Sequence, residues 1–201
     1  MRIGFALVPD QDFNEKVMEA VNGLSRQGIF LNSLGYTVNI PNIILFQGEF
    51  DKNFRYTTVV EKLIDIIKDR RVIYNNVLYD GNGWYIAEFR RDDWITELHT
   101  YLLKLVEKDV IIKHDENNLD FQYMTKEEQN SYNKYNYRYA GKPYIPYLIL
   151  GRTDNKYNYK LMNFISNRMI KVPKRVEICK VIAYEIGENN TCKRILYELE
   201  L

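Results

Sequence analysis

Residues 3–8 form an apolar run with β-branched and aromatic members (Ile3, Phe5, Val8) that stops at Pro9, which reads as a strand. From Asp12 the spacing changes. Phe13, Val17, Ala20, Val21 and Leu24 recur at helical intervals, and Asp12 with Glu15 three positions on makes a capping box. Residues 12–26 are therefore predicted as an amphipathic helix laid on a sheet and ended by Gly28. A weak strand at 36–39 and a strong one at 40–47 follow. Thr58 with Glu61 makes a second capping box, and Val60, Leu63, Ile64 and Ile67 give that helix its apolar face. Residues 72–79 and 84–90 read as strands joined by Asp80-Gly81-Asn82-Gly83, a hairpin signal. Asp92 or Asp93 opens a third helix striped by Trp94, Leu98, Tyr101, Leu102 and Leu105.

From about 113 to 143 the pattern dissolves into a polar, Tyr-rich loop, within which Thr125 and Glu128 can cap a short helix at 125–132. Periodicity returns with a strand at 144–150, a helix near 156–167 and strands at 175–186 and 194–201. Strands that pair as antiparallel sheets with helices on one face make this an α+β protein of one domain, 1–201. Within it, Pro41-Asn42-Ile43-Ile44-Leu45 and Pro146-Tyr147-Leu148-Ile149-Leu150 share a Pro-x-aliphatic-Ile-Leu pattern. Each is a strand followed by a turn with glycine (Gly48, Gly151), then a helix and another strand. Two such units half a chain apart imply two lobes related by a pseudo-twofold, with a cleft between their sheets.

The 201 residues carry 28 Lys+Arg against 27 Asp+Glu, a formal +1, which excludes a global basic field and makes any polyanion site local. With 46% hydrophobic and 27% charged residues the chain has ordinary globular composition. The N-terminal apolar run is too short for a signal-peptide core, and no window approaches the roughly 20 apolar residues of a bilayer span. A hairpin turning at 187–190 pairs Cys192 with Glu185 rather than with Cys179, so free thiols are expected, in a reducing cytoplasm. No His-Cys or His-Glu cluster has metal-ligand spacing, and no P-loop, dinucleotide fingerprint or nucleophile elbow occurs, so neither metal nor cofactor is expected.

The opening RIGFALVP, VNIPNIILFQGEF, PYIPYLILGR and the closing VEICKVIAYEIGENNTCKRILYEL together resemble the 2H phosphoesterase superfamily, the 2′-5′ RNA ligase and cyclic-phosphodiesterase proteins, over nearly the whole chain. That resemblance implies a bilobal fold, two antiparallel sheets lining a central cleft with helices outside. It also implies one His-x-Thr/Ser motif per lobe, the two histidines acting as general acid and base on a phosphodiester without a metal. Here the first motif falls on Asn42 and Ile44 and the second on Tyr147 and Ile149, so all four signature positions are changed. Positions i and i+2 of a strand face the same way, so each pair shares a face.

In-line attack on a phosphodiester needs one group to take a proton and another to give one, each with a pKa near the working pH. Histidine at about 6.5 fits; tyrosine near 10 and the asparagine amide do not. The two histidines of the chain are elsewhere, His99 on the third helix and His114 in a polar loop, and neither is expected to be catalytic. Ligand-binding candidates are Asn42, Ile44, Tyr147 and Ile149 in the cleft, Arg152 just beyond, and Tyr137 and Tyr139 of a Tyr-rich arm that interleaves rings with Lys134 and Arg138. Arg2 and Arg90 flank strands and are weaker candidates. Gln47 and Gly48 read as turn formers, and 68–71 as a solvated helix end.

Three readings follow. The first is a catalytically degenerate protein that sequesters or senses a nucleotide, cyclic nucleotide or short RNA ligand in the cleft. The second is a phosphodiesterase using Tyr147 as acid, with its pKa lowered by Arg152. The third is a protein-interaction module whose cleft is filled by Ile44 and Ile149. None involves a membrane.

Overall fold

The computed structural model describes residues 1–67, 69–80, 83–112, 124–154 and 158–201. Strand β1 (Arg2–Pro9) is buried on both faces, which is why its sequence is continuously apolar rather than alternating. Ile3, Phe5 and Leu7 enter the main core, while Ala6 and Val8 join Ile182, Tyr184, Ile186 and Cys192 in a second, smaller cluster on the other face. Helix α1 (Gln11–Arg26) follows at once, and its cap is Asp10, whose Oδ1 accepts from the Phe13 amide at 2.9 Å, not Asp12. Once Pro9 ends the strand, the chain turns into the helix two residues sooner than the capping-box pattern indicates.

Residues 36–39 form bends instead of the expected weak strand, and β2 runs Ile43–Glu49. Helix α2 (Tyr56–Ile64) starts ahead of Thr58, so the second capping box does not form and Thr58 lies inside the first turn. Strands β3 (Arg71–Tyr79) and β4 (Trp84–Phe89) pair as the hairpin the sequence predicts; the Gly81-Asn82 part of its turn lies outside the described residues. Helix α3 is Asp93–Val106 and α4 Lys126–Tyr135, the latter with a complete capping box between Thr125 and Glu128. The short helix expected inside the Tyr-rich stretch is thus present with the expected cap and runs on to Tyr135, while His114 falls outside the described residues. Strand β5 (Tyr147–Arg152), helix α5 (Tyr159–Met169) and strands β6 (Arg175–Ile186) and β7 (Cys192–Glu200) complete the chain.

All pairings are antiparallel, in one seven-stranded sheet of order β1-β2-β5-β4-β3-β6-β7 in which β1 also pairs with β6. The α+β class holds, but the two separate sheets expected from the repeat are one. Their halves, β7-β6-β1-β2 and β5-β4-β3, are stitched at two seams. One seam is the pair Ile44↔Tyr147; the other joins residues 71–73 of β3 to 175–177 of β6. Because β1 meets both β2 and β6, six strands pair around a closed cycle with β7 outside. Such long-range seams leave no local sequence signal.

Both cysteines are free. Cys192 pairs with Ile186, and Glu185 with Arg194, a register one residue removed from the expected one because a bulge lies between Glu185 and Ile186. No helix among the described residues is long and apolar enough to cross a membrane.

Candidate functional site

The two Pro-x-aliphatic-Ile-Leu segments lie side by side. Ile44 opposes Tyr147, and antiparallel register carried two residues further sets Asn42 against Ile149. Opposed residues and residues two apart share a face, so the four signature positions form one cross-strand quartet. The quartet is closed to solvent, each member at most 7% exposed.

A bulge shapes what surrounds it. Phe5 opposes Phe46 but Ala6 opposes Ile44, leaving Leu45 as an extra residue in β2. The bulge turns Gln47 toward the face that carries Ile44. Gln47, Gly4 and Tyr184 then form a row across β2, β1 and β6. The Tyr184 ring lies flat over Gly4, where a Cβ would come within 2.1 Å of the ring, and its hydroxyl accepts from Gln47 Nε2 at 2.8 Å.

The Tyr147 side of the quartet is covered by the Tyr-rich segment. Tyr137 donates to the Tyr147 hydroxyl at 3.2 Å, and the Tyr139 ring meets the Tyr147 ring at 5.4 Å and 66°. Tyr137 also packs edge-on against Phe46. The Tyr139 hydroxyl donates to Asp80, and Arg138 between the two rings bonds Asp80 at 3.0 Å and Glu128 at 2.8 Å. Tyr137 and Tyr139 are therefore packed inward as core residues. Burial drives the pKa of Tyr137, Tyr139 and Tyr147 upward. That direction is opposite to what Tyr147 needs as an acid, and Arg152 does not touch it: its guanidinium donates to Asn189 Oδ1 at 3.2 Å and lies 5.1 Å from the Trp84 ring.

His99 fastens this cover. It is 1% exposed, stacked on Tyr144 at 3.8 Å and 4°, with Nδ1 at 2.9 Å from the Leu45 carbonyl. Its Nε2 accepts the Gly141 amide at 2.8 Å, so the ring is neutral with its proton on Nδ1. Burial depresses its pKa to about 4. The ring joins α3, the bulged carbonyl of β2 and the end of the Tyr-rich segment, a role its helical position alone does not reveal. Its only sequence signal is its place beside Leu98 in the helix stripe.

The Asn42 side is different. Asn42 Nδ2 donates to the Ile40 carbonyl at 2.7 Å, and its buried Oδ1 has no partner among the described residues. Beside it lies a shallow depression lined by Ile40, Ile44, Ile149, Asn190, Thr191 and Cys192 among others, with a cavity volume of about 10 Å³, about one water molecule and far too little for a nucleotide.

The polar groups lie at its mouth. The β6–β7 turn carries Asn189 and Asn190, both at left-handed φ (53° and 52°), a conformation asparagine tolerates. Asn190 Oδ1 accepts from Arg2 at 2.8 Å, Asn189 Oδ1 from Arg152, and the Asn190 carbonyl from Gln47 at 2.7 Å. Arginines from β1 and β5 thus converge on adjacent residues of one turn. Arg2 merely flanks a strand and Gln47 precedes a turn-forming glycine in the sequence; the bulge and the left-handed turn that bring them together have no local signature. Arg90 pairs with Asp92 away from this cluster. Among the described residues no group of three or more His, Cys, Asp or Glu is placed to hold a metal.

Among solved structures, TT0787 of Thermus thermophilus superposes at a TM-score of 0.61 with 13% identity, covering 100% of this chain and 98% of that one. The fold is shared with TT0787. A second structure, described as a phosphoesterase, aligns at 0.49 and 12% identity over 100% and 98% of the two chains. No family model and no curated protein sequence matches the chain.

Proposed function

We propose that this phosphoesterase-like chain binds a small phosphate-bearing ligand of nucleotide type at the mouth of its cleft and does not cleave it. The observation that carries the reading is the convergence of Arg2 and Arg152 on Asn189 and Asn190. Guanidinium forks match phosphate oxygens in charge and in bidentate geometry, which a neutral asparagine oxygen does not, so a phosphate can displace the asparagine acceptors. Trp84, already against Arg152, offers a ring face at the same place. Cleavage by the 2H route has no support here. Asn42 and Ile44 do not titrate, Tyr147 is pushed further from neutrality, and His99 is neutral with both nitrogens engaged.

The test is thermal shift against phosphate, mononucleotides, cyclic mononucleotides and cyclic dinucleotides, followed by mass spectrometry of the recovered ligand. A ligand that raises Tm, returns intact and loses its effect in Arg2→Ala supports the reading. A cleaved product, or a panel with no effect on Tm, overturns it. A second reading, a protein-interaction module with a filled cleft, is favoured by the burial of the whole quartet. An inert panel together with one reproducibly captured partner protein would select it.

A further inference from the structure

The near-neutral balance of the chain conceals a local excess. Residues 158–175, α5 and the turn into β6, hold Lys160, Arg168, Lys171, Lys174 and Arg175 and no carboxylate. With +1 overall and +5 here, the rest of the chain carries −4. All five side chains belong to exposed residues. Several surface cations elsewhere are paired, Lys16 with Asp12, Arg90 with Asp92, Lys180 with Glu198 and Glu200, Lys193 and Arg194 with Glu185; what sets 158–175 apart is five cations in eighteen residues with no carboxylate among them. Among the described residues none of the five α5 cations has a carboxylate within ion-pair distance. Arg168 instead stands 4.7 Å over the Phe164 ring, and Lys174 donates to the Asn75 carbonyl at 2.9 Å.

Large apolar groups share this surface: Tyr159 is 67% exposed, Phe164 42% and Ile170 73%. Ile165 and Met169 fix the inward direction of α5. At 100° per residue, Lys160, Asn163 and Asn167 then point straight out, with Phe164 and Arg168 on one flank and Tyr159 and Ile170 on the other. A bilayer would favour a continuous apolar stripe at the centre of the outer face; here the centre is amide and ammonium. Cations interleaved with exposed rings and amides suit a strand whose phosphates and bases alternate.

We propose that the outer face of α5 and the turn into β6 bind single-stranded nucleic acid, its phosphates on the five unmatched cations and its bases against Tyr159 and Phe164. The surface uses none of the residues at the cleft mouth, so the two readings stand or fall separately. Five phosphate contacts on a single strand set a salt slope no steeper than about −3.5, a loss of up to about 100-fold between about 50 and 200 mM salt.

Fluorescence anisotropy with a labelled oligouridylate of about 12 nucleotides, within the usual site size, reads this directly. The triple variant Lys160→Glu, Arg168→Glu, Lys171→Glu is compared with Lys62→Glu, Lys104→Glu, Lys108→Glu, which changes the net charge equally on α2, α3 and the turn after α3. We expect a loss of tenfold or more in the first and less than about threefold in the second, with Tm of each confirming the fold. Phe164→Ala is expected to weaken binding about tenfold with the salt slope unchanged, and Lys171→Glu alone serves if the triple variant does not fold. No binding of the oligonucleotide by the wild-type chain, equal losses in both triple variants, or binding confined to phosphatidylserine vesicles or to an acidic protein would overturn the proposal.

Discussion

The two Pro-x-aliphatic-Ile-Leu strands carry the same pattern and sit in register, yet their surroundings diverge. On β5, Tyr147 is sealed by Tyr137 and Tyr139, which are held by Asp80, Arg138 and Glu128 and by the His99 pin. On β2, Asn42 keeps an unmet Oδ1 beside a shallow depression. One half of the quartet is finished as core; the other is left incomplete, and the polar groups gather at its rim. A matching sequence pattern therefore fixes which residues share a face, not whether that face is open.

Breaking the seal has the largest expected effect. His99→Ala removes a buried ring and leaves the Leu45 carbonyl and Gly141 amide unmet, and should cost about 3–5 kcal/mol by urea denaturation. A loss under about 1 kcal/mol would mean the Tyr-rich segment does not depend on the pin.

The same ring gives a pH signature. Its folded pKa of about 4 lies below the ordinary 6.5, so the unfolded chain binds the proton more tightly. The neutral form's contribution is complete above pH 6.5 and is lost as pH falls toward 4, a change of about 3 kcal/mol. Comparing wild type with His99→Gln across that window should remove this part of the slope; identical slopes would refute it.

The smallest effects sharpen the contrast between the strands. Tyr147→Phe deletes a bonded hydroxyl and should cost about 1 kcal/mol, while Asn42→Leu removes an unmet acceptor together with the Nδ2 bond to the Ile40 carbonyl, two effects that offset, and should change stability by less than about 0.5 kcal/mol. Equal losses at both positions would mean the two sides are alike.

Much of this was legible in the residues. The order of helices and strands followed from periodicity; the likeness of the two segments put Asn42 and Ile44 on one lobe and Tyr147 and Ile149 on the other, whereas Ile44 and Tyr147 are paired directly in one sheet. Caps were less so: Asp12 and Thr58 carry the right chemistry, but chain direction at Pro9 and Tyr56 decides where the helix begins. The single sheet rests on seams of one and three residue pairs between distant segments, which no window contains. The inward packing of Tyr137 and Tyr139 has no sequence signal, because a tyrosine serves equally in a core or on a surface. The α5 cations were invisible in the net charge because acidic residues elsewhere cancel them.

The central claim, that the cleft is closed from within on its β5 side, is tested most directly by following the His99 imidazole nitrogens by NMR against pH. We expect a neutral ring with the proton on Nδ1 that does not titrate until about pH 4, with a Gly141 amide protected from exchange. A ring that titrates near 6.5, with a rapidly exchanging Gly141 amide, would show the Tyr-rich segment standing open and would contradict the closed cleft.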